Sequence, residues 1–333
     1  MKMKWIKWTM MVLVLFTAVS CSDDSEDEDD EEWVRAVDFD GLPRSGAASF
    51  VIGDEVYVTT GYGTNSTRFT DTWVYDVNSQ IWTQKADFPG GARNNAVAFT
   101  INGKGYVGLG TDGSKMYADF YEYDPDSDSW KSIAAFPGVA RYGAISFVLG
   151  NVPYVGSGQD VDAQDYNDFY TYDPNADSWT KVTSTPEKRS FGFSFVINNV
   201  AYVGGGTNNN SYVSGFYAFD GQTWTEKEPL SGRTDDYTYD LRRSFPSVFV
   251  IGSYGFLTCG SYSTTVGSTW CYDPVNDYWT EHDDFTVNGA SARQQAVSFS
   301  ANGAGYVVGG RSGSTPFDDI WKFTPDFEKY PFD

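Results

Sequence analysis

Six tryptophans, Trp33, Trp82, Trp130, Trp179, Trp224 and Trp279, recur along this chain at spacings of 49, 48, 49, 45 and 55 residues. A further 51 residues lead to Tyr330 in the equivalent place. Self-similarity at a fixed period of roughly 20–50 residues is the signature of solenoids and propellers, so this rhythm restricts the fold more than any other feature. The surroundings of each Trp repeat as well. Upstream lie FYEYDPDSDSW (120–130), FYTYDPNADSW (169–179) and WCYDPVNDYW (270–279). Downstream an Arg opens a small-and-apolar stretch at Arg44, Arg93, Arg141, Arg189, Arg243 and Arg293. Then come YVTTG (57–61), YVGLG (106–110), YVGSG (154–158), YVGGG (202–206), FLTCG (256–260) and YVVGG (306–310).

Each unit reads as four short strands: one after the Arg, the Tyr-Val strand ending in Gly, the aromatic FYxYD strand, and one that starts at Trp. Their alternation and β-branched and aromatic content suit strands buried between neighbouring sheets. Asp-Pro, Asn-Gly and Gly-Gly pairs punctuate them. A four-stranded sheet that is apolar on both faces cannot stand alone. Six in a ring bury both faces of each blade and leave only short, protected edges. The glycines allow strands to crowd near the axis, and the Tyr and Trp rings fill the wider space between blades.

The Gly pair 309–310, the run 204–206 and the spaced Tyr and Trp resemble the Kelch repeat family across about 33 to 330. That resemblance implies an all-β, six-bladed Kelch-type β-propeller. Thr59-Thr60 and Thr258-Cys259 replace the glycines in two repeats, and the fourth reads AFDGQTW (218–224) without the Asp-Pro turn. Trp33 precedes Arg44 by 11 residues, as Trp82 precedes Arg93. Residues 33–39 (WVRAVDF) therefore read as a fourth strand with no blade before it. The last unit supplies three strands and runs out, so the N-terminal strand is expected to close the last blade.

Residues 1–20 are read as a leader rather than as structure. Lys2, Lys4 and Lys7 precede the apolar run MMVLVLF (10–16), which is too short for a membrane span of about 20 residues. Ala18-Val19-Ser20-Cys21 resembles the lipobox of bacterial lipoproteins, with Ala18 where that family prefers Leu. The resemblance implies acylation of Cys21. Residues 22–32 (SDDSEDEDDEE) carry nine acids and no base, so 21–32 is expected to be an acylated Cys on a disordered acidic tether. Ser22-Asp23-Asp24 after that Cys resembles signals that carry lipoproteins to the outer leaflet. The expected location is the outer membrane, exposed at the cell surface; a periplasm-facing anchor is the alternative. Residues 33–333 form the expected globule.

The formal charge is −22. Losing the three leader lysines makes it −25, and setting aside the tether's nine acids leaves about −16 on the globule. Such a surface disfavours nucleic acid and anionic lipid. Cys259 and Cys271 lie on consecutive strands, leaving a cross-strand disulfide and two buried thiols both open.

Loops on a rigid support are where binding groups usually sit. The fourth-to-first and second-to-third connections open on one face of a propeller, and the six repeat arginines stand there. A ring of guanidinium groups could clamp a carboxylate or anionic sugar; alternatively each Arg pairs with nearby acids or carbonyls. The longest connection, 225–242, adds Arg233, Tyr237 and Tyr239, and aromatics beside paired charges suit carbohydrate. Asp160, Asp162, Asp165 and Asp168 form an acidic loop without EF-hand spacing. His282 is the single histidine, read as an exposed strand residue; no metal or cofactor is expected. Among Kelch-type enzymes, galactose oxidase needs histidine ligands to copper, so a copper radical oxidase is excluded. The expected function is a lipid-anchored binding module taking a glycan or protein ligand on the loop face. A sugar-modifying enzyme resembling N-acetylneuraminate epimerases is the alternative.

Overall fold

The computed structural model describes residues 31–233 and 238–330. The leader, Cys21, the acidic run through residue 30 and Tyr237 lie outside them, and with them the expectations placed there. Six four-stranded antiparallel sheets follow in chain order. Blade one is built from Ala48–Ile52, Glu55–Thr59, Thr72–Asp76 and Ile81–Lys85. Blades two to five repeat that order. Blade six takes Val97-like inner strands at Val297–Ala301 and Ala304–Val308, then Ile320–Phe323, and is completed by Trp33–Arg35. Trp33 pairs with Phe323 and Arg35 with Trp321, so the N-terminal strand closes the ring.

Local chemistry explains the blades. The first two strands of blades two and six are joined by Asn102-Gly103 and Asn302-Gly303, both residues of each pair having positive φ. Such turns match the right-handed twist of a hairpin. Inner strands alternate, with Val97, Phe99 and Ile101 buried. Phe99 stacks on Tyr106 at 5.0 Å, and Phe50 on Tyr57 at 4.9 Å.

The repeated Trp, and the Asp two residues before it, form a clasp between blades. Trp130 Nε1 donates to the Ala86 carbonyl of the preceding blade at 2.9 Å, and the Ala86 N–H donates to Asp128 at 2.9 Å. Trp179 and Asp177 treat Ala134 in the same way, at 2.9 and 2.8 Å. The partner stands four residues after the preceding repeat Trp. Blade four, reading AFDGQTW, has no Asp at this place, and its Trp224 reaches Thr183 at 3.5 Å.

The ring joint obeys the same rule. Trp33 Nε1 donates to the Asp283 carbonyl at 3.1 Å, and Asp283 N–H donates to Glu32 at 2.9 Å. Glu32 thus does for blade six what Asp128 does for blade two. The expected tether boundary moves by one residue: the compact body begins at Glu32, which is 1% exposed. Glu32 also accepts from the Asp326 N–H at 2.8 Å and contacts His282 Nδ1 at 2.7 Å. His282 is correspondingly buried, not exposed as expected, among the rings of Phe256, Phe323, Phe327 and Tyr330. Tyr330 stacks there rather than opening a strand, because Trp33 already holds that place. Cys259 and Cys271 are both free, buried thiols, and burial raises the Cys259 thiol to about 11.

Candidate functional site

The six repeat arginines set the geometry of the loop face. Each is at most 3% exposed. In every blade its Nη1 donates to the carbonyl sixteen residues on: Thr60, Leu109, Ser157, Gly205, Cys259 and Gly309. These acceptors all have positive φ, which turns their carbonyls toward the guanidinium. The Gly that follows each is tightly enclosed: a β-carbon would meet a neighbouring atom at 3.2 Å on Gly61 and at 2.3 Å on Gly206, where the atom is the Ser190 carbonyl oxygen.

Four of these arginines pair with the repeat's own Asp. Arg44–Asp71 and Arg141–Asp168 are 2.6 Å apart and Arg93–Asp119 2.5 Å, with Arg293–Asp319 alike. Aromatic rings cover the guanidinium groups, as Phe69 does Arg44 at 4.3 Å and Tyr117 does Arg93 at 3.7 Å. Burial pushes the Asp71 carboxyl up, but Arg44 and the Trp73 indole outweigh it and leave it below the usual range. Arg189 and Arg243 lack that Asp and use Glu187 and Ser268 instead. Burial draws both down to about 10. The expectation of a solvent-facing ring of cations is therefore corrected. A guanidinium this deeply buried must be paired, and internal partners engage all six, with Arg189 Nε left without a hydrogen bond.

What lines the mouth is the residue two places after each Arg: Gly46, Asn95, Gly143, Phe191, Phe245 and Gln295. All six have φ between 52° and 60°. Their backbones form a closed circle of hydrogen bonds around the axis. Each N–H donates to the carbonyl of its counterpart in the preceding blade at 2.7–3.2 Å. Phe191 and Phe245 stack at 4.4 Å, although bulky residues in the left-handed region are outliers costing about 1–3 kcal/mol each. Gln295 donates to Asn95 at 3.2 Å on the other side. The resulting hollow of about 150 Å³ is aromatic on one flank and amide-lined on the other.

A second circle surrounds it, one residue after each repeat glycine: Tyr62, Thr111, Gln159, Thr207, Ser261 and Arg311. Arg68 and Arg311 lie against the Tyr62 ring at 5.0 and 6.0 Å. Arg68 Nε donates to Asn94 at 2.7 Å. Arg311 Nε is buried without a hydrogen-bond partner. Neither guanidinium has a carboxylate within salt-bridge distance among the described residues. Sequence reasoning missed this pair, though a signal existed: these slots differ from blade to blade while the framework around them repeats.

The 225–242 connection is a short hairpin, Ser231–Arg233 against Thr238–Asp240. Arg233 is exposed. Tyr239 is not available as expected: it is 6% exposed, packs with Leu230, Leu241 and Trp270, and donates to Glu228 at 2.5 Å. In the acidic loop, Asp160 caps its own turn by accepting from the N–H groups of Asp162 and Gln164. Asp165 accepts from Gln159 and Asn209, and Asp168 holds Arg141. No three acidic, His or Cys side chains among the described residues are grouped to hold a metal ion.

Comparison with known proteins agrees with this architecture. Residues 135–310 match the model of the KLHDC2/KLHL20/DRC7 Kelch-repeats domain, and residues 43–89 match the Kelch motif. Among solved structures, one titled "Structure of YjhT" superposes with a TM-score of 0.74 over 86% of this chain and 97% of that one. At 16% identity it bears on the fold alone. No curated protein matches the chain.

Proposed function

Starting from a chain that belongs to the Kelch-repeat family, described as the KLHDC2/KLHL20/DRC7 Kelch-repeats domain, we propose a binding module whose loop face takes a glycan or protein ligand bearing an anionic group. The observation that carries this reading is the pair Arg68 and Arg311 around Tyr62. On an acidic globule of about −16, these two guanidinium groups converge on one aromatic ring, which gathers positive charge at a single corner of the loop face. The aromatic and amide flanks of the axial hollow would hold the rest of the ligand.

A charge-assisted hydrogen bond is worth about 1.5–3 kcal/mol. Arg68→Ala and Arg311→Ala should each weaken binding of an acidic glycan or acidic peptide at least tenfold, with the melting temperature unchanged. Calorimetric titration against panels of both ligand types checks this. Equal affinity for the wild type and both variants would overturn the assignment.

The reading extends to an outer-membrane lipoprotein held through Cys21. Strand Trp33–Arg35 runs toward the loop face, so the chain enters the propeller on the opposite face. Cys21→Ser should move the protein from the membrane fraction to the soluble one. Unchanged fractionation, with no lipid mass on the wild type, would refute the anchor.

A further inference from the structure

Aromatic residues make up 17% of this chain. Among the described residues Tyr262 alone of them is exposed by more than a third. It stands two residues after the repeat glycine of blade five, where the other blades carry Gly63, Asp112, Asp160, Asn208 and Ser312. The repeat does not require an aromatic there. Tyr262 pairs with Thr264 across a one-residue turn at Ser263, whose φ is 63°. The Ser263 N–H donates to the Tyr212 hydroxyl of blade four at 2.7 Å, and the two Tyr rings meet at 4.5 Å and 44°.

Charged groups frame this pair. Arg242 Nη2 donates to the Tyr262 hydroxyl at 2.9 Å. The same guanidinium forks onto Asp240, Nε at 2.8 Å and Nη2 at 2.7 Å. The hydrogen bonds from Arg242 hold the Asp240 carboxyl below its usual range. The fork leaves the pair electrically neutral; Asp240 Oδ1 accepts twice and Oδ2 once from Arg242, and the Arg242 Nη1 donors have no hydrogen-bond partner among the described residues.

We propose that Tyr212, Tyr262, Asp240 and Arg242 form a second subsite, which takes the ring of a neutral pyranose. A pyranose presents an apolar face of C–H groups that lies flat on an aromatic ring, and an edge of adjacent hydroxyls. Those hydroxyls can donate to Asp240 and accept from Arg242 Nη1, the bidentate geometry a carboxylate and a guanidinium offer. The neutral ion pair gives no preference for an anion, which separates this subsite from the Arg68–Arg311 corner. Two rings and a guanidinium already fixed by internal hydrogen bonds lose little freedom on binding. The proposal rests on the loop face being a ligand surface, and it selects carbohydrate as the ligand class.

The test uses the full chain and panels of neutral gluco-, galacto- and manno-configured oligosaccharides beside acidic glycans. Saturation-transfer NMR and tryptophan fluorescence read the binding. The expected result is binding of a neutral oligosaccharide that Tyr262→Ala weakens at least tenfold and Asp240→Asn several-fold, while Tyr262→Phe retains it. Asn175→Ala, in a turn on the opposite face, serves as the unaffected control. Loss of binding in Tyr262→Ala with an unchanged melting curve supports the subsite. Neutral binding indifferent to both Tyr262→Ala and Asp240→Asn overturns it. Acidic-glycan binding without any neutral binding also overturns it while sparing the loop-face reading; silence from both panels overturns it too and leaves the loop-face reading to the acidic peptides.

Discussion

Removing residues 1–31 should leave the melting temperature of the propeller unchanged, whereas removing residues 1–39 should prevent folding. The eight residues between the two cuts hold the ring joint. Their loss exposes the backbone edge of Ile320–Phe323. It also empties the place of Trp33, which is fully buried against Phe249, Phe285 and Phe323. Losing a buried Trp alone costs about 3–5 kcal/mol, a large share of a typical domain stability of roughly 5–15 kcal/mol.

The finer version of this experiment is Glu32→Ala. It strands the Asp283 and Asp326 N–H groups and His282 Nδ1 together. At about 1–3 kcal/mol for each buried group left unsatisfied, the melting temperature should fall by roughly 10 °C. Circular dichroism melts of the two truncations and the point variant provide the comparison. Coincident melts of the two truncations would show that the joint does not close the ring.

The second large effect belongs to the repeat arginines. Arg141→Ala leaves Asp168 facing an emptied site, and Arg293→Ala does the same to Asp319. Breaking a buried ion pair from one side costs about 3–5 kcal/mol. The stranded carboxylates differ in access to water: the side chains of Asp168 and Asp319 are 16% and 15% exposed, that of Asp119 34%. Urea unfolding should therefore rank Arg141→Ala and Arg293→Ala as more destabilising than Arg93→Ala. Arg68→Ala, on the loop face, should stay within about 0.5 kcal/mol of wild type. If Arg141→Ala unfolds at the wild-type midpoint, these arginines do not brace the blades.

The architecture was legible from the chain alone because a propeller is quasi-periodic. Each blade contacts its neighbours through the same few positions, so Trp, Arg, Gly and Asp return at a nearly constant interval. Closure by residues 33–39 followed from counting, since Trp33 keeps the same distance to its Arg as the other repeats do. What the tertiary structure decided is which of those positions face water. Composition places six arginines near the mouth, but only the path of each second strand, which turns the carbonyl sixteen residues on inward, shows that the guanidinium groups are consumed. Glu32 read as tether because its ten neighbours are acidic or polar, and His282 read as exposed because strand alternation carries no knowledge of distant partners. They meet across 250 residues of chain, brought together by ring closure and not by local pattern. Tyr62, Arg68, Arg311, Tyr212 and Tyr262 likewise stand on different blades or loops. Their juxtaposition depends on how six sheets splay about one axis, a property of packing that no single repeat encodes.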